Sequence, residues 1–341
     1  MDGVTMRSEM AEQPAVLADL AARRGEIRDA VRRVLPDDLA GIVLIGRGSS
    51  DNAAIFARYA FEVARGRPVA LAAPSLHTLY GARSDYRGYL AIAVSQSGRT
   101  PEIVSVLEAA ARAGAVTVAI TNDTASPLAG AASAVVDLRA GEERAVPATK
   151  TFTAQLAAFA VIAEALGATP WTDADWERLP GVVGEVLADD APADAVARAI
   201  GDAPGLITVG RGFLFPVALE AALKLKEAAL LLAEGYSAAD LLHGPVAVVE
   251  HGFPVLAFLA DGPARASMEE VLADLRGRGA RAFVAGPAGP AMDLPVPTGL
   301  AEGLATIPAA VRAQQVARSL ALVRGLDPDA PRGLSKVTMT E

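Results

Sequence analysis

The feature that most constrains this chain is a duplicated junction. Ile45-Gly46-Arg47-Gly48 closes a short apolar run in the first half, and Val209-Gly210-Arg211-Gly212 closes one in the second. A helical pattern follows each directly. Four matching residues are weak alone, but both copies stand at the same place in the same strand-to-helix unit. Around them, strand-like and helical segments alternate. Strand-like runs fall at 41–45, 69–73, 89–94, 116–120 and 134–138. Helical periodicity covers 51–65 and 149–166, and a further helix starts at Pro101, a residue suited to a first turn. The second half continues with strands at 206–209, 255–260, 281–285 and 293–296, and a closing helix near 305–324. This order implies an α/β chain with parallel sheets covered by helices on both faces.

The expected architecture is therefore two tandem doubly wound, flavodoxin-like domains. A charged helical arm occupies 1–34, with its helix over 10–35. The first domain follows at 35–168, a linker helix at 169–195, the second domain at 196–325 and a tail at 326–341. A length of 341 residues suits two domains, each long enough to bury a core. Hydrophobic residues at 52% and charged residues at 21% describe a globular chain.

Charge and cysteine content narrow the chemistry. The net charge is −9 and no basic patch stands out, which argues against a nucleic-acid partner. An anionic ligand must then be held by backbone N–H groups, hydroxyls and helix N-termini. The absence of Cys excludes disulfides, thiolate metal sites and a Cys nucleophile, and it fits a cytoplasmic location. The first residues lack the apolar core of a signal peptide, and no apolar run has membrane-spanning length. No cofactor, metal or membrane partner is expected.

Ligands of doubly wound sheets bind beyond the C-terminal ends of the strands, so the strand-to-helix junctions are the places to search. Gly48-Ser49-Ser50-Asp51-Asn52 offers hydroxyls and a helix start to an anion, or merely a capped helix. Gly46-x-Gly48 lacks the third glycine of a dinucleotide fingerprint. Ser95-Gln96-Ser97-Gly98-Arg99-Thr100-Pro101-Glu102 is denser in donors than an ordinary turn requires, and it reads as a phosphate cradle. On the apolar helix predicted over 215–234, Glu220, Lys224 and Glu227 share one face, with Glu234 nearly aligned and Lys226 pointing elsewhere. They form either a structural ion-pair ladder or a carboxylate base tuned by a lysine. His243, in Leu242-His243-Gly244-Pro245, is one of three His and is either structural or catalytic. Lys336, in the tail segment 331–338, is either solvated or poised to meet a sugar carbonyl.

These motifs, in this order, resemble the SIS-domain (sugar isomerase) family. The likeness is strongest to the isomerase half of glutamine–fructose-6-phosphate aminotransferase and to stand-alone glucosamine-6-phosphate deaminases. It runs from about residue 35 to the C-terminus and is carried by GRGSSDNA (47–54), SQSGRTPE (95–102), VPATKTFTAQ (146–155), ALEAALKLKE (218–227), LLHGP (241–245) and PRGLSKVT (331–338). The resemblance implies a sugar-phosphate pocket at Ser49, Ser50, Ser95, Gln96, Ser97 and Thr100, with Ser49 where Thr is usual. It implies a backbone contact at Val146 and a proton-moving carboxylate at Glu227, supported by Glu220 and Lys224. His243 matches a ring-opening histidine that reaches in from a neighbouring subunit, which implies a homodimer. Lys336, beside Ser335, matches the lysine that approaches the open-chain sugar.

Three positions depart from the aminotransferase pattern. Arg99 stands for Glu, Asp51 for Tyr, and Val146-Pro147-Ala148 lacks a serine before Thr149-Lys150. With no Cys, the chain is expected not to draw ammonia from glutamine. The expected reaction is deamination and isomerisation of glucosamine 6-phosphate to fructose 6-phosphate and ammonia. The alternatives are another aminated sugar phosphate (galactosamine 6-phosphate or fructosamine 6-phosphate), a glutaminase-less aminotransferase-like protein, and a sugar-phosphate sensor without turnover.

Overall fold

The computed structural model describes residues 3–289 and 292–336. They group into two compact units. The first unit holds Val16–Glu143 and Ala154–Thr169, and the second holds residues 3–15, Arg144–Thr153 and Pro170–Lys336.

The helix expected over 10–35 is broken into three: α1 (Val4–Ala11), α2 (Gln13–Ala22) and α3 (Arg24–Arg32). Pro14 explains the first break. It has no N–H for the Met10 carbonyl four residues back. The Gln13 side chain donates to that carbonyl instead, at 3.1 Å.

In the first unit, β1 (Gly41–Ile45), α4 (Ser49–Arg65), β2 (Val69–Leu71), α5 (Ser75–Thr78) and β3 (Tyr89–Val94) come first. Then follow α6 (Pro101–Arg112), β4 (Val116–Thr121), α7 (Pro127–Gly130), β5 (Ala134–Asp137) and, from Ala154 on, α8 (Lys150–Leu166). The strand order is β2-β1-β3-β4-β5, and every pairing is parallel. Val43, Ile45, Ala91 and Ala93 pack against Ile103, Val106 and Leu107 of α6. β1 and β3 have the bounds their β-branched runs predict, because both are buried along almost their whole length.

The second unit adds α9 (Asp173–Leu187), α10 (Ala191–Ile200), β6 (Gly205–Gly210), α11 (Phe215–Ala229), β7 (Leu232–Ser237) and α12 (Ala238–Leu242). It ends with β8 (Pro254–Phe258), α13 (Arg265–Gly277), β9 (Arg281–Pro287), β10 (Leu294–Val296) and α14 (Glu302–Val323). Its sheet runs β10-β9-β8-β6-β7, again all parallel. Counted from its own first strand, this is the order of the first sheet. α9 starts on a capping box, with the Thr172 hydroxyl accepting from Asp175 N–H and the Asp175 carboxylate accepting from Thr172 N–H.

The duplication extends to backbone detail. A Cβ at Gly46 would lie 3.0 Å from the Ser50 carbonyl oxygen, and one at Gly210 would lie 2.3 Å from the Leu214 carbonyl oxygen. The approach is tight at Gly46 and leaves no room for a side chain at Gly210 without a backbone shift. Two positions on, Gly48 and Gly212 both have φ of 58°, where a side chain is strained.

One expected helix needs correction. The pattern over 215–234 ends at Ala229, where Leu230 turns left-handed at φ 49°. The chain then enters edge strand β7, so Glu234 leaves the face of Glu220 and Glu227. It is exposed and accepts a hydrogen bond from the Tyr236 hydroxyl.

Candidate active site

Both sheets have a switch point, where successive strands depart in opposite directions. In the first unit it lies between β1 and β3, and doubly wound sheets hold their ligands there. The two donor-rich loops of the sequence are the two that leave these strands.

The loop after β1 starts α4 with Gly48 as its N-cap residue. Ser50 and Asp51 stand inside the first turn and are not the N-cap residue. Ser49 and Ser50 are both partly exposed. Asp51 is half-buried, and that burial pushes its carboxyl above the usual range despite Arg47 nearby.

The loop after β3 is shaped by its own hydroxyls. Ser95 Oγ accepts from Gly98 N–H at 3.2 Å, and Ser97 Oγ accepts from Arg99 N–H at 3.3 Å. Each hydroxyl keeps its proton for another acceptor. Thr100 is the N-cap residue of α6 but makes no side-chain cap bond, and Pro101 fills the first helical position. Gln96 is partly exposed, and its carbonyl accepts from Asn122 N–H at 3.1 Å. Gly98 has φ of 63°, and a Cβ there would lie 2.1 Å from Ser126 Oγ.

A contact not foreseen from the sequence ties the two loops together. Arg47 donates from Nε and a terminal nitrogen to the two oxygens of Glu102, both at 2.9 Å. The pair is bidentate, and the hydrogen bond to the almost fully buried Glu102 raises the Arg47 pKa. Arg47 belongs to the repeated junction, which was the signal. Its partner lies 55 residues away, which no local pattern reveals.

In the second unit the charged face of α11 is formed as expected. Lys224 is fully buried, 3.4 Å from Glu220 and hydrogen-bonded to Glu227. Burial alone lowers the lysine pKa, but the two carboxylates overturn that and raise it. Side-chain exposure separates the carboxylates: 1% for Glu220 and 22% for Glu227. Glu227 is the member that reaches out. Lys226 is exposed and points elsewhere.

The tail is tied down as far as it is described. Asp329 accepts the N–H groups of Thr5 and Met6 at the start of α1, and its carbonyl accepts from Val146 N–H at 3.0 Å. Any backbone contact from Val146 to a ligand therefore falls to its carbonyl. Lys336 Nζ donates to the Ala145 carbonyl at 2.7 Å, beside exposed Ser335. Val337 and Thr338, the end of the tail motif, lie outside the described residues.

His243 stands apart from this group. It is exposed, at the C-terminal end of α12, and lines a cavity of about 450 Å³ with Arg211, Ser267 and Glu270. Glu227 and Lys336 are not among the residues lining that cavity. Among the described residues, no helix is long and apolar enough to cross a membrane.

Two parallel sheets of the same order, one with hydroxyl-rich loops at its switch point, define a tandem doubly wound α/β protein. More narrowly, the chain belongs to the SIS-domain family, whose model matches residues 40–165 and 200–285. It is 32% identical to the glutamine–fructose-6-phosphate aminotransferase (isomerizing) of Methanothermobacter thermautotrophicus, over 98% of this chain and 57% of that protein. The chain thus spans little more than half the length of such relatives. A crystal structure of a protein assigned as a phosphosugar isomerase from Silicibacter pomeroyi matches with a TM-score of 0.81 and 37% identity, covering 95% of this chain and 99% of that one. The fold is also that of a glucosamine-6-phosphate deaminase from Thermotoga maritima, with a TM-score of 0.73 and 24% identity over 95% and 99% of the two chains.

Proposed function

We propose that this chain is a sugar-phosphate isomerase acting on an aminated substrate, converting glucosamine 6-phosphate and water to fructose 6-phosphate and ammonia. The observation that carries this reading is the Glu220–Lys224–Glu227 cluster. A buried cation between two carboxylates is a poor way to stabilise a helix, since apolar packing would do as well. It is a good way to hold one carboxylate aimed. Glu227, the more exposed member, moves the proton between C1 and C2 of the open-chain sugar.

The remaining roles are those the family resemblance implies. Ser95, Ser97 and Thr100 bind the phosphate at the α6 N-terminus, with Ser49, Ser50 and Gln96 completing its pocket. The Val146 carbonyl and Ser335 contact the sugar. His243 assists ring opening, and its exposure suits a residue lent to a second copy in a homodimer. Lys336 approaches the sugar carbonyl. The domain ranges expected from the sequence stand as part of this reading, with the first domain holding phosphate.

Ammonia release from glucosamine 6-phosphate tests the proposal. Activity in the wild type and its loss in Glu227→Gln are expected. No release, with Glu227→Gln matching the wild type on galactosamine 6-phosphate and fructosamine 6-phosphate as well, would sink it. Mixing Glu227→Gln with His243→Ala subunits tests the shared site: activity returns only if the histidine crosses between copies.

A further inference from the structure

The first helix of the chain packs on the loop that precedes α8. Helix, loop and tail all belong to the second unit. Met6 and Met10 of α1 form an apolar cluster with Ala145. Residues 144–149 are neither helix nor strand, so no regular ladder satisfies their N–H groups. α1 supplies the missing acceptors. Glu9 is almost fully buried, and its two oxygens accept successive N–H groups. Oε1 takes that of Arg144, and Oε2 takes that of Ala145 at 3.2 Å. Glu12, just past the helix, accepts from Nζ of buried Lys150 at 2.6 Å. One short helix therefore holds the loop at both ends.

The tail is tied into the same place. The Asp329 carboxylate accepts the N–H groups of Thr5 and Met6, in the first turn of α1, at 3.0 and 2.8 Å. The Asp329 backbone carbonyl takes the Val146 N–H at 3.0 Å. Further along, Lys336 donates from Nζ to the Ala145 carbonyl at 2.7 Å. Ala145 is thus gripped from both sides, its N–H by Glu9 and its carbonyl by Lys336. The three successive N–H groups of residues 144–146 all end on Glu9 or Asp329.

We infer that α1 is a clamp for the tail, and that Glu9 and Asp329 are positioning residues which fix the Ala145–Val146 backbone and, through it, the Lys336 ammonium. The inference deepens the proposed function and rests on it for the roles of Lys336 and the Val146 carbonyl. A buried carboxylate is costly unless it is bonded. Here its bonds go to the two residues just before the proposed sugar contact. Apolar packing of Met6 and Met10 would hold the helix, but it would leave these N–H groups unpaired and the neighbouring carbonyls unaimed.

Amine acetylation read by mass spectrometry tests the clamp without relying on activity. The chain has four lysines. Lys150 and Lys224 are buried, Lys226 is exposed and serves as the internal standard, and Lys336 is half-buried. In the wild type Lys336 should label several times more slowly than Lys226. In folded Glu9→Gln and Asp329→Asn variants it should approach the Lys226 rate. Wild-type labelling of Lys336 in both folded variants overturns the inference. Should a variant fail to fold, amide hydrogen exchange on the wild type decides. The N–H groups of residues 144–146 should be protected, and exchange at the rate of an open loop overturns the inference. On glucosamine 6-phosphate both variants should lose kcat, by up to about 10²-fold for a group misplaced by about an ångström, with KM nearly unchanged. Glu9→Asp, which keeps both acceptor oxygens, should lose less. A kcat equal to that of the wild type in both variants overturns the positioning role. If the wild type releases no ammonia but the labelling changes as expected, the proposed function fails and the clamp stands.

Discussion

The two switch points share one backbone and differ in what they hold. Both have a Gly-Arg-Gly turn, the same left-handed glycine and a helix starting at the strand end. At the first, hydroxyls bond the loop's own N–H groups and keep protons for a ligand. At the second the corresponding loop, Leu259 to Ala264, carries no hydroxyl, and the buried carboxylate of Glu302 lies against Gly262. Duplication preserved the geometry because strand, tight turn and helix leave few alternatives. It did not preserve the chemistry, because loop side chains can change without disturbing the sheet.

Substitutions that separate binding from chemistry break or sharpen this contrast. The largest effect is expected for Glu227→Gln. It should lower kcat by roughly 10²–10⁴-fold, the usual worth of a general base, while calorimetric binding of glucosamine 6-phosphate stays unchanged. If binding falls instead, Glu227 belongs to the ligand pocket and the division of labour is wrong.

Lys224→Met comes next. It leaves Glu220 buried with its cation removed, and a loss of about 3–5 kcal/mol in urea unfolding is expected. A neutral result would mean that apolar packing at this position replaces what the ion pairs contribute. Ser97→Ala should weaken phosphate binding by roughly tenfold, the value of one hydrogen bond to a charged group, with kcat nearly intact. Gly98→Ala should destabilise the first unit by about 1–3 kcal/mol, through its positive φ and its contact with Ser126. Gly48→Ala, with open space around it, should be milder.

The smallest effect is a pH slope. The folded-state pKa of Glu302 is raised, so the protonated form is favoured in the native chain. Its contribution to stability is full below the unfolded value near 4.5 and is lost as pH rises through the folded value. One proton sets the limit, about 1.4 kcal/mol per pH unit. Urea midpoints of the wild type and Glu302→Gln across mildly acidic pH should converge at low pH and part above it, with the variant the more stable.

The sequence by itself determined most of the strands and the shared face of the α11 charges. The buried β-branched runs gave the bounds of β1 and β3, since parallel strands covered on both faces must be apolar throughout. The spacing of Glu220, Lys224 and Glu227 put them on one face, because helical periodicity is local. Local reasoning failed wherever a long-range contact set the outcome. β7 was hidden because it is an edge strand with an exposed Leu232 and Glu234, and no glycine marks the turn at Leu230. The Arg47–Glu102 tie joins loops separated by a whole βα unit, and Glu302 reaches Gly262 from the far end of the chain. Which strands fold, and with which faces inward, follows from residues a few positions apart. Which carboxylate lies against which loop is decided by packing between segments that only the tertiary structure brings together.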